Sequence, residues 1–129
     1  MKTILIIDDS MFDRLIASEV VKNHMPVNTI IALESAEEGL EYIFSSMDNP
    51  SAIPDIILLD IKMPKVDGFE FLERFEKFPP SVKVLSTIYM LSSSIDPYDI
   101  NKALKSKYVH DFIEKPLTKE KIEKLLPKL

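Results

Sequence analysis

The stretch Ile56-Ile57-Leu58-Leu59-Asp60-Ile61-Lys62-Met63-Pro64-Lys65-Val66-Asp67-Gly68 decides the reading of this chain. Four consecutive apolar residues, bounded by Pro54-Asp55 on one side and a turn-rich segment on the other, suit a strand buried on both faces. Asp60 closes that run. A carboxylate at the carboxyl end of a buried parallel strand lies where open α/β sheets keep their ligand crevice. A second run, Ile4-Leu5-Ile6-Ile7, ends in Asp8-Asp9. If the two strands are neighbours, three carboxylates meet at one sheet edge. Three like charges repel, so such a cluster calls for a cation with oxygen ligands.

Outward from these two strands, strand-like and helix-like patterns alternate. Strand 1 is expected over about Thr3–Ile7. Ser10 is a good N-cap for a helix to about His24, with Phe12, Leu15, Ile16 and Val20 as its apolar stripe. Pro26 stops it. Strand 2 is placed at about Thr29–Leu33. Ser35-Ala36-Glu37-Glu38 reads as a capping box opening a helix that buries Ala36, Leu40, Ile43, Phe44 and Met47. The third helix starts near Asp67, buries Phe71, Leu72 and Phe75, and ends before Pro79-Pro80. Strand 4 ends at Leu91; Val82–Ser86 reads either as its extension or as an irregular connector. Asp96-Pro97 supplies an N-cap and an N1 proline for a fourth helix with Ile100, Ala103 and Leu104 inward. Strand 5 is expected at about Val109–Ile113. Thr118 caps a fifth helix with Ile122, Leu125, Leu126 and Leu129 as its stripe.

Five βα units predict a doubly wound α/β fold, a five-stranded parallel sheet with five helices on both faces. The flavodoxin-like order 2-1-3-4-5 puts strands 1 and 3 together at the switch point, so that Asp8, Asp9 and Asp60 converge. With 129 residues and 46% apolar content, one domain over 1–129 is expected, with no output domain after the last helix. No apolar stretch approaches the length of a membrane helix, which points away from membrane insertion and toward the cytoplasm. The absence of Cys removes disulfide, thiolate and thiol chemistry. Net charge is −5, divided as −8 over residues 1–60 (3 Lys/Arg, 11 Asp/Glu) and +3 over 61–129 (13 and 10). An acidic chain without a basic stripe argues against direct nucleic-acid binding.

Five features in order now resemble a known family: Asp8-Asp9 after strand 1, Asp60 after strand 3, Met63-Pro64 and Asp67-Gly68 in the next loop, Ser92 after strand 4, and Lys115-Pro116 after strand 5. The chain resembles a response-regulator receiver domain of two-component phosphorelay systems. That resemblance implies a phosphorylation switch rather than an enzyme. Asp60 is then the phosphoacceptor, forming an acyl phosphate with a phosphoryl group from a sensor histidine kinase or a histidine phosphotransfer protein. It implies Mg²⁺ or Mn²⁺ held by Asp9, Asp60 and the backbone carbonyl of Lys62, with Asp8 acting mainly through water. It implies that Lys115 reaches the phosphate as a point charge, with a cis bond to Pro116. Ser92 would hydrogen-bond a phosphoryl oxygen, and Phe112 would turn inward behind it, a two-state packing element. Output is implied on the face of the fourth helix, fifth strand and fifth helix, which includes Lys102, Lys105, Tyr108, His110 and Lys119. The protein would be a monomer or a phosphorylation-dependent dimer.

The bland readings of the same residues stay open from sequence alone. Asp8-Asp9 can cap a helix, Ser92-Ser93-Ser94 can be a polar loop, Lys115 an exposed loop lysine, and Phe112 a half-buried strand aromatic. Tyr108 replaces the small residue usual in its turn and is expected to add an aromatic contact to the output face. Lys62 leaves the lifetime of the phosphoryl group open. His24 and His110 are not expected to carry phosphate. Among rival classes, a haloacid-dehalogenase-like phosphatase needs an Asp where Lys62 stands. A flavodoxin-like electron carrier needs a phosphate loop that Asp8-Asp9 would repel. A P-loop NTPase lacks its Gly-x-x-x-x-Gly-Lys-[Ser/Thr] signature. A degenerate receiver would lack an acceptor, metal or lysine position, and none is missing.

Overall fold

In a computed structural model, which describes residues 2–125, the strands form one parallel sheet in the order β2-β1-β3-β4-β5. The strands are β1 (Lys2–Ile7), β2 (Val27–Leu33), β3 (Ile56–Asp60), β4 (Thr87–Ser92) and β5 (Val109–Glu114). The helices are α1 (Met11–His24), α2 (Ala36–Ser45), α3 (Gly68–Phe75), α4 (Pro80–Lys83), α5 (Pro97–Leu104) and α6 (Lys119–Leu125), with a 3₁₀ turn at Pro50–Ala52. The central strand β3 is buried at all five positions, as its apolar run requires. At about 1.5–3 kcal/mol for each fully buried aliphatic side chain, this short segment anchors the core.

Strand alternation divides the core into two layers. Leu5, Ile7, Ile57 and Leu59 face α2, α3 and α5, where Ile43, Phe71, Phe75 and Ala103 pack. Ile4, Ile6, Ile56 and Leu58 face α1 and α6, where Ala17, Val21 and Ile122 pack. Caps fix the helix starts. The side chains of Ser10, Ser35 and Asp67 accept from the backbone N–H groups of Asp13, Glu38 and Glu70.

The sequence expectations need five corrections. The described residues form six helices rather than five, because Pro79-Pro80 opens the extra turn α4. The segment 82–86 is therefore the end of α4 and a turn, and β4 starts at Thr87. The second strand begins at Val27, two residues earlier than expected. On α1 the buried face is Ala17 and Val21, whereas Phe12 (70%) and Leu15 (59%) are exposed. Phe44 on α2 and Leu104 on α5 are likewise exposed. Apolar type and helical spacing identified a stripe, but not which of two adjacent stripes faces the sheet. Of the last helix's stripe, Ile122 is buried; the side chain of Leu125, and Leu126 and Leu129, lie outside the described residues.

Candidate metal and acceptor site

Register brings the functional side chains to one edge. Ile7 pairs with Leu59, so Asp8 follows level with Asp60. Asp60 pairs with Leu91, and Ser92 with Glu114, so Ser92 and Lys115 follow on the same edge. The backbone N–H of Lys115 donates to the Ser92 carbonyl at 2.7 Å, and that of Ile61 to the Leu91 carbonyl at 3.1 Å. These bonds tie the outgoing loops together just past the strand ends. Alternation places Asp8 and Asp60 on the parity of Ile6 and Leu58, the layer that packs against α1.

Asp8, Asp9 and Asp60 each offer a carboxylate oxygen within 4.8 Å of the others. Asp8 and Asp60 are buried and Asp9 is exposed. Three convergent carboxylates form an all-oxygen donor set suited to a hard divalent cation. Lys62, whose carbonyl was expected as a further ligand, follows at an exposed position of the loop. Gly68, at the far end of that loop, is tightly seated. A Cβ there would stand 2.7 Å from the Asp60 carbonyl and 3.0 Å from the Ile61 Cα. Backbone cannot yield as a side-chain tip can, so the loop after Asp60 closes only over a glycine.

Lys115 enters this cluster from the other side of the site. Its Nζ lies 2.7 Å from Asp8 Oδ2, 3.0 Å from Asp13 Oδ2 and 3.2 Å from Asp60 Oδ1. The Lys115–Pro116 bond is cis. Burial pulls the ammonium downward, but the hydrogen bonds it donates to Asp8 and Asp13 and the charges of Asp60 and Asp8 outweigh that and hold Lys115 above the ordinary lysine range. Asp60 moves the other way. Burial first and the Asp8 charge second push its carboxyl up to about 7, against the opposing pull of Lys115. A carboxyl poised near neutrality is an unfavourably placed charge, which a cation would stabilise in ionised form.

The remaining expected residues are placed as follows. Ser92 is buried, and its Oγ accepts from the Ser94 N–H at 3.3 Å. Phe112 is half-buried against the α2/α3/α5 layer. Tyr108 differs from its expectation. Its ring turns inward, edge-on to Phe75 of α3 at 5.6 Å, with the ammonium groups of Lys83 and Lys107 over it at 5.3 and 5.2 Å. His110 is exposed and meets the ring of Tyr89 at 5.4 Å.

Two site residues were not singled out in the sequence, Asp13 and Arg14. Asp13 pairs with Lys115, and Arg14 Nη1 donates to the Asp8 carbonyl at 2.7 Å. The available signal was strand parity. Asp8 and Asp60 share the layer facing α1, so the first turn of α1 had to line the site.

A family model described as the response regulator receiver domain matches residues 4–127. The chain is 34% identical over 128 residues to the chemotaxis protein CheY of Listeria monocytogenes, covering 99% of this chain and 98% of that one. Among solved structures, a two-component response regulator from Cytophaga hutchinsonii superposes with a TM-score of 0.89 at 28% identity, covering 98% of this chain and 94% of that one. A response regulator receiver protein from Dyadobacter fermentans gives 0.85 at 28%, covering 98% and 95%. The acid cluster on β1 and β3, closed by a lysine from the loop after β5, therefore lies in a chain that belongs to the response regulator receiver domain family.

Proposed function

We propose that this chain is a response regulator receiver of the cytoplasm, 1–129 forming one receiver domain, that accepts a phosphoryl group on Asp60. The observation that carries this reading is Asp60 itself. It is buried at the end of the central strand, within the Asp8-Asp9-Asp60 cluster and 3.2 Å from the Lys115 ammonium. The donor is a phosphohistidine on a sensor histidine kinase or a histidine phosphotransfer protein. An Asp60 carboxylate oxygen attacks phosphorus, the P–N bond breaks, and its electron pair stays on the imidazole nitrogen. Asp9, Asp60 and the Lys62 carbonyl would hold Mg²⁺ or Mn²⁺, with Asp8 acting mainly through water. When bound, the cation neutralises and orients the transferring phosphoryl group. Lys115 donates to a phosphoryl oxygen as a compact charge.

Ser92 then gives up its contact with the Ser94 N–H, donates its hydroxyl to the phosphoryl group, and leaves space that Phe112 fills. The output face is α5, β5 and α6, where Lys102, Lys105, His110 and Lys119 are exposed. It binds a protein partner as a monomer or a phosphorylation-dependent dimer, without nucleic-acid contact or membrane insertion. Among the described residues no helix is long and apolar enough to cross a membrane.

Incubation with acetyl phosphate and Mg²⁺, followed by intact mass and site mapping, tests the acceptor. The native chain is expected to gain one acid-stable, base-labile phosphoryl group. Asp60→Asn is expected to gain none, and EDTA to abolish the gain. Retention of label by Asp60→Asn rejects the assignment. A beryllofluoride NMR titration that leaves Ser92 and Phe112 unshifted rejects the switch.

A further inference from the structure

An ammonium has three N–H donors, and Lys115 faces three carboxylates: Asp8, Asp13 and Asp60. Two of these belong to the sheet edge. The third comes from α1, 102 positions away in sequence. The geometry leaves the lysine little room. The cavity around it, lined by Asp8, Asp13, Ile16, Ala17, Leu91 and Leu117, holds about 10 Å³, at the lower limit for one water. The ammonium has little space in which to withdraw, and two of its partners, Asp13 and Asp60, lie on different elements. The Asp13 main chain is held in place, since its backbone N–H donates to the N-cap Ser10 Oγ at 3.2 Å. The next residue, Arg14, holds the Asp8 carbonyl from the same turn.

We infer that Asp13 is a positioning residue that tethers Lys115 toward α1 while Asp60 is unmodified, and competes with a phosphoryl group for that ammonium. The inference rests on Asp60 being the acceptor. Asp8 and Asp60 belong to the cation cluster, whereas Asp13 lies outside it and contacts the lysine alone among the site's charged groups. A phosphoryl group on Asp60 recruits Lys115 only as the Asp13 contact loosens. Asp13 thus lowers the affinity of the site for phosphoryl-like ligands.

The test is calorimetric titration with beryllofluoride in Mg²⁺. Asp13→Asn is expected to bind about three- to fivefold more tightly, the scale of a part-exposed ion pair, and Asp13→Glu to return toward the native value. In a Lys115→Ala background, Asp13→Asn is expected to change nothing, because the effect runs through the lysine. Equal tightening with and without Lys115 shows a plain charge effect and overturns the tether. Unchanged or weaker binding in Asp13→Asn also overturns it. Side-chain ¹⁵N NMR in EDTA needs no phosphoryl group and separates the two readings. The Lys115 ammonium signal is expected to be protected in the native chain and lost in Asp13→Asn. If that signal depends on Asp13 but the native chain binds no beryllofluoride, the tether stands, while the acceptor reading falls and takes the competition with it. A signal indifferent to Asp13 overturns the tether whatever the titration gives.

Discussion

The two edges of the sheet are built from the same five strands and handle polar groups in opposite ways. At the amino edge, Asp55 Oδ2 accepts from the Thr3 N–H at 2.8 Å, and its own N–H donates to the Thr3 carbonyl at 2.9 Å. The Thr87 N–H donates to the Asp55 carbonyl at 2.9 Å, and the buried Ser86 Oγ to the Pro54 carbonyl at 2.6 Å. The polar groups named there are all paired by hydrogen bonds. At the carboxyl edge, Asp8, Asp9, Asp13 and Asp60 gather around Lys115 and Arg14, so the formal local sum is −4 + 2 = −2. The amino edge shows that hydrogen bonds suffice to close this sheet. The excess charge at the other edge is therefore not needed for folding, and it costs stability where the chemistry lies.

The largest effect expected from this contrast is a pH dependence confined to the carboxyl edge. Asp60 titrates at about 7 when folded, against 3.8 for the ordinary carboxyl. Between those values the folded chain holds a proton that the unfolded chain has lost. Stability therefore falls as pH rises from about 4 to about 7, by about 3–4 kcal/mol across the window at 1.36 kcal/mol per unit. The groups setting this slope are Asp8 and Asp9 from the β1 end and Lys115 from the β5 loop, which Asp13 of α1 contacts in turn. Urea titrations in EDTA read it directly. Asp60→Asn is expected to remove this slope, and saturating Mg²⁺ to flatten it. A slope that survives in Asp60→Asn erases the contrast between the edges.

Next in size is loss of the lysine. Lys115→Ala in EDTA at pH 8 leaves Asp8 and Asp60 buried without their partner, and is expected to cost about 3 kcal/mol. Mg²⁺ is expected to restore part of that loss. Denaturation with and without the metal checks both statements. At the amino edge, Ser86→Ala removes one neutral hydrogen bond and leaves the buried Pro54 carbonyl short of that donor. It is expected to cost about 1–2 kcal/mol and to leave phosphoryl uptake from acetyl phosphate unchanged.

What the sequence disclosed follows the same division. Asp60 and the strand before it were legible because four apolar residues in a row have few other uses. The convergence of Asp8, Asp9 and Asp60 followed from strand order alone, since strand ends are fixed by register. Asp13 was not legible by spacing, because its partner lies 102 residues on and the contact depends on the packing of α1. The exposed Phe12 and Leu15 were misread for the same reason. Helix periodicity gives a face, while the roll of the helix is set by which small residues, here Ala17, approach the sheet. Turn α4 was hidden by length. One turn opened by prolines has no period to detect.

The smallest effect concerns backbone strain at the carboxyl edge. Lys65 has φ 66°, the one positive value among the described non-glycine residues. The Val66 N–H donates to the Pro64 carbonyl at 2.8 Å across it, which makes a tight turn of the rarer hand. The loop this turn shapes runs from Asp60 to the closely packed Gly68. A left-handed conformation costs an L-residue about 1–2 kcal/mol. Glycine removes that cost but loses about 0.5–1 kcal/mol of chain entropy on folding. Lys65→Gly is therefore expected to stabilise the fold by about 0.5 kcal/mol, read as a small rise in the urea midpoint at constant slope. A loss of stability would mean that the Lys65 side chain, and not the glycine-compatible backbone, holds the loop over Asp60.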